Sequence, residues 1–356
     1  MTTVLPSGLW PRAAAQDHLT AQLQILEDSQ TAPWGVTAVP FIPLYPSHPH
    51  FTLTARTLGT LVDLGFEEGP HGWKLSSHRG LDAQRVLRAL EDQYEALSIA
   101  AHGTSTPLTV SVLGPWTLAS QLWLNHGDRV LADHGAVRDV ASALGEGLSD
   151  LVTRIGQLVP GVSVHVQVDE TNIASVLAGV VPTFSGYSRL PRVEPSVAIE
   201  ALQRTLRPVM AQAGVTVHTG DSWVGIPTAA RAIEELTGVS SQGEQTRPAL
   251  GVNLGAWNEQ VWESIATCVE RGIGFHGALP APQESSCAGV DIRGLGDVLT
   301  TNWQRIGLPV SGLTDVSIGY QHTAATSIAT GSVDDARGKV HTLIKTAEYV
   351  AEKATA

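Results

Sequence analysis

The sequence predicts an α/β protein built around parallel strands. Short apolar stretches recur along the chain, and each is followed by a segment with the apolar period of a helix. This alternation is typical of parallel strands joined by right-handed helical crossovers. No glycine-rich dinucleotide fingerprint follows the first strand and no phosphate-binding loop occurs, which favours a closed (β/α)8 barrel, the TIM barrel, over an open doubly wound sheet.

The strands are predicted from short runs that are rich in Val, Leu and Ile. Seven such runs are found, at 4–9, 108–113, 162–169, 215–218, 249–254, 273–279 and 308–310. An eighth strand is expected near 36–42, inside a stretch (32–50) that is rich in Pro and His and otherwise indicates an irregular loop. Eight strands are the number that a closed barrel of this class needs.

Helical periodicity fills the segments between these strands. It is found at 52–65, 80–101, 117–124, 138–158, 194–213, 226–237, 256–271, 288–303 and 333–353. The two helices at 52–65 and 80–101 exceed what a minimal barrel needs, so residues 1–105 are expected to carry extra N-terminal helices. Since no repeat and no low-complexity linker interrupts the pattern, the whole chain, 1–356, is predicted to be a single barrel domain.

Composition excludes several classes of function. The chain has 356 residues, 43% of them hydrophobic and 16% charged, which is typical of a globular protein. Its net charge of −12, with no basic run, argues against binding to nucleic acid or to an anionic membrane. No apolar run is long enough to span a membrane and no secretory leader is recognised. With only Cys268 and Cys287 as thiols, a reducing, cytoplasmic location is expected.

The run at 162–169 alternates strictly between valine and polar residues. Strand side chains point to opposite faces with a period of two, so the valines share one face and the polar residues, Ser163, His165, Gln167 and Asp169, share the other. In a barrel of parallel strands the valine face would meet the surrounding helices and the polar face would line the lumen. Asp169 would then stand at the C-terminal mouth, where barrel enzymes carry their chemistry.

Polar or aromatic residues also stand at the ends of the other predicted strands. The candidate site residues are Trp10, Trp116, Asp169, His218, Asn253, His276 and Ser311. Each alone has a structural explanation, because a lone His is often a hydrogen-bonded core residue and a lone Asp is often a helix cap. Seven such ends together predict one pocket at the carboxyl ends of the strands.

Five short motifs, taken in order, resemble those of a known family. They are SGLWP at 7–11, GPWT at 114–117, QVDE at 167–170, VHT at 217–219 and PVSGL at 309–313. Their order and spacing are similar to those in the catalytic barrel of cobalamin-independent methionine synthase, which is related in fold to uroporphyrinogen decarboxylase. A short, actinobacterial-type methionine synthase-like subgroup resembles the chain more closely, through GPWTLA, GDRVLADHGA and VLAGVVPT.

This resemblance implies a methyltransferase of methionine biosynthesis, which moves a methyl group from methyltetrahydrofolate to the sulfur of homocysteine. His218 falls where the family has a His-containing strand end, and it is the predicted catalytic residue. Zinc is the family's cofactor and lowers the pKa of the thiol, but its thiolate ligands are absent here. No Cys follows His218 within 219–222, Ser311 replaces the last Cys, and Asn253 falls near the Glu position. No metal ligand is therefore assigned, and no cofactor is predicted with certainty.

The resemblance also implies a small-molecule substrate, either an amino-acid thiol or a folate-like compound. Asp169 matches the family's carboxylate that holds the substrate ammonium group. Trp10 and Trp116 are expected to provide an aromatic floor for a flat ring such as a pterin. Asn253, His276 and Ser311 complete the expected substrate-binding set.

Three functions remain open at this point. The first is a methionine synthase-like methyltransferase that works without the usual zinc site. The second is a non-catalytic relative that binds a small amine-bearing or heterocyclic ligand. The third is a decarboxylase of the uroporphyrinogen type, which needs cations for several substrate carboxylates, and Arg189 and Arg192 form the one nearby cluster of that kind in the sequence. The oligomeric state is not predicted.

Overall fold

The computed structural model describes residues 1–11, 18–237, 247–282, 289–321 and 331–355. The strands are β1 (Thr2–Val4), β2 (Val36–Ala38), β3 (Gly65–Gly69), β4 (Gly72–Ser76), β5 (Leu108–Leu113), β6 (Val164–Asp169), β7 (Gly214–His218), β8 (Ala249–Asn253), β9 (Gly274–Leu279) and β10 (Val316–Tyr320). The helices are α1 (His18–Ser29), α2 (Leu53–Thr60), α3 (Leu81–Ala100), α4 (Pro115–Gln121), α5 (His134–Leu158), α6 (Ile173–Ala178), α7 (Pro195–Met210), α8 (Ile226–Thr237), α9 (Glu259–Glu270), α10 (Ile292–Arg305) and α11 (Val333–Thr355).

Eight of these strands form one parallel sheet, in the order β2-β1-β10-β9-β8-β7-β6-β5. The sheet curls with helices on its outer side, so the predicted α/β fold of the TIM-barrel type is confirmed. Its side chains alternate as strands require. In β6, for example, Val164, Val166 and Val168 are buried, whereas His165 and Asp169 remain partly accessible.

The two edges of the sheet meet through residues 40–42, which continue beyond β2. The Ile42 amide donates to the Thr109 carbonyl (3.0 Å), and the Thr109 amide donates to the Pro40 carbonyl (2.8 Å). Residues 36–42 therefore pair with β1 first and with β5 afterwards. The eighth strand expected near 36–42 is confirmed, with a change of partner at Val39, whose amide still bonds to Val4.

A buried arginine holds this closing segment in place. Arg56 of α2 donates to the carbonyls of Ile42 (3.1 Å) and Pro43 (2.6 Å), and Gln93 of α3 also donates to Pro43 (2.8 Å). Burial lowers the pKa of the Arg56 guanidinium to about 10, so it stays charged at neutral pH. The extra N-terminal helices α2 and α3 thus stabilise the barrel's closure.

The prediction of the last strand at 308–310 is wrong, because the strand lies several residues later in the chain. Val310–Asp315 form a short 3₁₀ helix, and the strand is β10, which is buried along its whole length. Pro309 has no amide hydrogen to donate to a ladder, which disfavours a strand at that point. Ser311 consequently precedes the strand and lies towards the amino-terminal end of the barrel.

The sequence pattern also missed two elements between β1 and β5. Helix α1 follows β1, and the antiparallel hairpin β3–β4 stands between α2 and α3. The helix predicted at 52–65 ends earlier, at Thr60, because β3 begins at Gly65. Across the described ranges, no helix is both long and apolar enough to cross a membrane.

Candidate active site

The carboxyl ends of the strands surround a small polar cavity in the lumen. Its volume is about 20 Å³, which is room for one or two water molecules. The lining residues come from five strands and neighbouring segments: Leu5, Ser7, Leu53, Ser111, Gln167, Asp169, Thr216, His218, His276 and Tyr320. The structure thus brings Asp169, His218 and His276 together in one place.

Two histidines dominate one wall of this cavity. The rings of His218 and His276 lie 6.3 Å apart between centroids and are nearly perpendicular, at 72°. They stand on β7 and β9, and the residue between them in register, on β8, is Gly251. A Cβ atom at Gly251 would lie 2.8 Å from His218 Cδ2, so the glycine makes room for the imidazole. This requirement is invisible in the sequence without the register.

A second glycine limits the other side of His276. A Cβ atom at Gly319 of β10 would lie 2.4 Å from the Leu5 carbonyl oxygen and 3.0 Å from His276 Cε1. The Nδ1 atom of His276 is 3.0 Å from the Ser317 hydroxyl, which orients the ring. His276 is therefore held between two strands in a slot that larger residues would fill.

Charge in the cavity is carried by Asp169. Among the described residues that line the cavity, the ionisable side chains are those of Asp169, His218, His276 and Tyr320. Asp169 is the one carboxylate among them. Asp169 Oδ1 accepts a hydrogen bond from the Thr171 amide (3.0 Å), which fixes the carboxylate at the strand's end. Nearby, the Ser111 hydroxyl donates to Gln167 Oε1 (3.0 Å). The site offers one anion surrounded by neutral polar groups.

An adjoining cavity of about 90 Å³ widens the mouth and shares Ser7 and Tyr320 with the first. Trp10 lies in its wall, with the Phe41 ring 6.1 Å away between centroids. The structure therefore places Trp10 beside the lumen cavity, with an apolar ring that is 1% exposed.

Trp116 is not part of this mouth, which corrects the expectation of a floor made of two tryptophans. It is fully buried in α4, and its indole Nε1 donates to the Ala198 carbonyl of α7 (3.0 Å). Helix α4 begins at Pro115, so Trp116 belongs to the helix and not to the strand end. The helical rotation turns its ring towards α7, away from the lumen.

Ser311 is corrected as well, because it precedes β10 and is exposed at the other end of the strand. Asn253 is the last residue of β8, and its backbone amide donates to the Gly220 carbonyl (2.8 Å). It borders neither of the two mouth cavities. Of the expected substrate-binding set, Trp10, Asp169 and His276 therefore line these cavities, while Trp116, Asn253 and Ser311 do not.

Glu170, next to Asp169, points away from the lumen and caps α4. Its carboxylate accepts from the Trp116 amide (3.0 Å), the Thr117 amide (2.8 Å) and the Thr117 hydroxyl (2.8 Å). Complete burial raises the pKa of Glu170 to about 7, and the three donors oppose part of that shift. The residue anchors the end of β6 to the helix that follows β5.

The described residues do not fit the zinc site that the family resemblance implies. Among them, no group of three or more His, Cys, Asp or Glu side chains is arranged to hold a metal ion. Cys268 lies in α9 outside the sheet, and burial raises the pKa of its thiol to about 12, which disfavours the thiolate that zinc requires. Cys287 lies outside the described residues.

His165 lies one layer below Gln167 in the lumen, and we expect it to make the free energy of unfolding depend on pH. Burial lowers the pKa of its imidazole from 6.5 to about 4, so the folded protein keeps it neutral while the unfolded chain protonates it. The free energy of unfolding should fall by about 2 kcal/mol between pH 7 and pH 4.5 through this residue. Urea unfolding of the wild type and of His165→Phe at both pH values measures it, and equal losses in the two proteins would contradict this assignment.

Comparison with known proteins yields a likeness in structure. No protein-family model matches the sequence, and no curated protein matches it. Among solved structures, the chain is similar to a B12-independent methionine synthase from a Shewanella species, in complex with selenomethionine, at 13% identity and a TM-score of 0.58, over 99% of this chain and 98% of that chain.

Two xylanases are more distant. The enzyme from Caldicellulosiruptor owensensis matches at 8% identity and a TM-score of 0.32, over 71% of this chain and 75% of that chain. The xylanase from Paenibacillus barcinonensis matches at 10% identity and a TM-score of 0.29, over 68% of this chain and 74% of that chain. At 13% identity the methionine synthase likeness shows the fold, and the chain therefore shares the barrel architecture of that enzyme.

Proposed function

We propose that the C-terminal mouth of the barrel binds a small amine-bearing molecule, and that an α-amino acid is the class it suits best. One observation carries the proposal: Asp169 is the one carboxylate among the described residues that line the lumen cavity, and it stands beside His218 and His276. A carboxylate in a narrow, largely buried site attracts an ammonium group more strongly than it would in water.

The dimensions of the mouth agree with this class of ligand. An ammonium group is close to a water molecule in size, so the 20 Å³ cavity can take it against Asp169. The remainder of the ligand would occupy the adjoining 90 Å³ cavity, whose wall includes Trp10 and Phe41. Those rings suit the apolar side chain of an amino acid such as methionine.

Methyl transfer to the sulfur of an amino-acid thiol is the reaction we propose to test at this site. The order of the sequence motifs favours it, and the similar barrel is that of a methionine synthase bound to selenomethionine. In this reaction a sulfur–methyl bond forms, the donor's nitrogen–methyl bond breaks with its electron pair left on that nitrogen, the thiol proton passes to a base, and the donor nitrogen takes up a proton. His218, in the wall of the neighbouring lumen cavity, is our candidate for accepting that proton, through a bridging water molecule.

The decarboxylase alternative has less support. Among the described residues, neither mouth cavity has an arginine in its wall, and Lys339 is the one lysine there. Arg189 instead bonds to the carbonyls of Gly186 and Ser188, and Arg192 pairs with Glu194 (3.1 Å). A substrate with several carboxylates would find too few cationic partners.

Asp169→Asn is the variant that tests the binding proposal. Asn retains an oxygen for the Thr171 amide but loses the charge, so methionine and homocysteine should bind roughly 10- to 100-fold more weakly, equivalent to about 1.5–3 kcal/mol. Isothermal titration calorimetry at neutral pH measures this. Asp150→Asn, at an exposed position of α5, is the matched control and should bind like the wild type.

A ligand control makes the same test from the other side. The analogue of methionine that lacks the amino group should bind the wild type weakly and should be insensitive to Asp169→Asn. Equal affinity for methionine and for this analogue would sink the proposal that Asp169 recognises an amine.

An activity assay separates catalysis from binding alone. Homocysteine and methyltetrahydrofolate are incubated with the protein in the presence of a metal chelator, and methionine is measured by mass spectrometry. Chelator-resistant methionine formation that His218→Gln abolishes supports methyl transfer at this site. Tight amino-acid binding without any methionine formation supports the non-catalytic alternative, and activity that the chelator removes would contradict a metal-free site.

A further inference from the structure

A much larger cavity opens at the opposite, amino-terminal end of the barrel. Its volume is about 590 Å³, within the range of small-molecule sites. Lumen-facing residues of several strands form its inner wall, and residues 210–214, from the end of α7 to the start of β7, form part of its rim. Neither the sequence motifs nor the proposed amino-acid site uses it.

The inner wall of this cavity is polar but uncharged. Hydroxyl-bearing residues of four strands line it: Thr3 and Thr37 are partly exposed, whereas Thr216 and Ser317 are buried and already bond to His165 and His276. Between them lie apolar side chains such as Leu5. Several hydroxyls spaced around an apolar background can bond to hydroxyls of a ligand while its carbon framework contacts the apolar wall.

His165 completes the inner wall as a neutral group. Its Nε2 atom is 2.8 Å from the Thr216 hydroxyl, which fixes the ring's orientation, and part of the ring stays accessible from the cavity. Because burial lowers its pKa to about 4, the imidazole is uncharged at neutral pH. It can exchange neutral hydrogen bonds but offers no cation to an acidic ligand.

Charged groups occur only at the cavity's outer part, among the described residues that line it, and they include the α-amino group of the exposed Met1. Arg247 and Asp315 are both exposed, and the Arg247 guanidinium already donates to the Gly272 carbonyl. A phosphate or carboxylate placed deep in the cavity would lose its hydration without finding a counter-ion, which is unfavourable. The chemistry of the wall therefore selects against charged ligands.

We propose that this amino-terminal cavity is a second binding site, for a neutral ring compound with several hydroxyl groups. A monosaccharide and a nucleoside share that chemistry, and both are of a size that the cavity accommodates. The site is separate from the amino-acid site, since the two cavities lie at opposite ends of the strands and share only Leu5 and Thr216 in their walls.

The test uses glucose and adenosine as neutral probes, with glucose 6-phosphate and AMP as their charged counterparts. Calorimetry on the full-length protein should detect at least one neutral probe at millimolar concentration, and its phosphorylated counterpart should bind at least about tenfold more weakly. Binding of the sugar alone or of the nucleoside alone identifies the source of the shared chemistry. No binding of either neutral probe, or tighter binding of the charged one, would overturn the proposal.

Ser163→Trp locates the binding. Ser163 is exposed at the cavity's mouth, so a bulky ring there should block the cavity and reduce affinity at least about tenfold without disturbing the core. Ser77→Trp, exposed in the segment after β4, is the control that should bind like the wild type.

Ala213→Trp, also in the cavity wall, provides a second blocking variant if Ser163→Trp unfolds. A thermal melt checks the fold of each variant. Undiminished binding in a folded, blocked variant would place the ligand elsewhere and refute the site.

Discussion

Gly147→Ala should destabilise the protein by about 3–5 kcal/mol, because the two helices that meet at this glycine leave no room for a methyl group. Gly147 lies in α5, and a Cβ atom there would stand only 1.7 Å from the carbonyl oxygen of Thr60, at the end of α2. That oxygen belongs to the backbone, so no side-chain rotation relieves the overlap. One helix would have to move.

Movement of α2 is costly because its Arg56 holds the segment that closes the barrel. Movement of α5 is opposed from its other side, where Gly145 already approaches α7 closely. A Cβ atom at Gly145 would lie 2.5 Å from the Arg204 carbonyl oxygen. The helix α5 is thus fixed between two neighbours, and strain at Gly147 cannot be relaxed in either direction.

Gly156→Ala is the matched control, in the same helix. A Cβ atom at Gly156 meets no other atom within 4 Å, so the change should raise stability by about 0.5–1 kcal/mol through the better helix propensity of Ala. Urea unfolding of both variants measures the contrast. Equal stability of Gly147→Ala and the wild type would mean that α2 and α5 are not in the contact described.

Much of the barrel could be predicted because its strands have two chemically different faces. The valines of β6 pack towards helices while His165, Gln167 and Asp169 face the lumen, and this difference is readable as an alternation. The position of Asp169 at the strand's end followed from the same pattern. Local sequence sufficed wherever burial on one face alone determined the residue types.

The position of β10 could not be predicted in this way. Its sequence, VSIGY, contains Ser317 and Gly319, which weaken a strand pattern, so the pattern favours the apolar residues at 308–310 instead. Both residues are explained by a neighbour on another strand, because Ser317 bonds to His276 and Gly319 makes room for it. Tertiary packing outweighed propensity here, and the error misplaced Ser311.

The orientation of Trp116 was predicted wrongly for a different reason. A helix start predicted at 117 left Trp116 on the strand end, whereas the helix begins at Pro115. Proline is favoured at the first position of a helix, and this signal would have put Trp116 inside α4. The proximity of His218 and His276 could not be predicted for another reason. It depends on the strand register at Gly251, which no short stretch of sequence reveals.

Glu170→Ala should lower the free energy of unfolding by about 3 kcal/mol at pH 5, because it leaves two amides and a hydroxyl of α4 without their acceptor. At pH 8 the loss should be small. The pKa of Glu170 is raised to about 7 in the folded state, so the wild type must deprotonate a buried carboxyl as the pH rises. Between pH 5 and pH 8, the free energy of unfolding of the wild type falls by about 2.5 kcal/mol through this group. The variant lacks the carboxyl and does not show this fall.

Urea unfolding of both proteins at the two pH values tests this result, with Glu146→Ala, exposed on α5, as a control that should change little. A loss that is the same at pH 5 and pH 8 would show that Glu170 is not a buried, titrating cap. The cap also bears on the site, since the Glu170 amide donates to the His218 carbonyl (2.7 Å) while its side chain fixes α4. We therefore expect Glu170→Ala to weaken amino-acid binding less than Asp169→Asn does, because it loosens the strand end that positions Asp169 but leaves its charge in place.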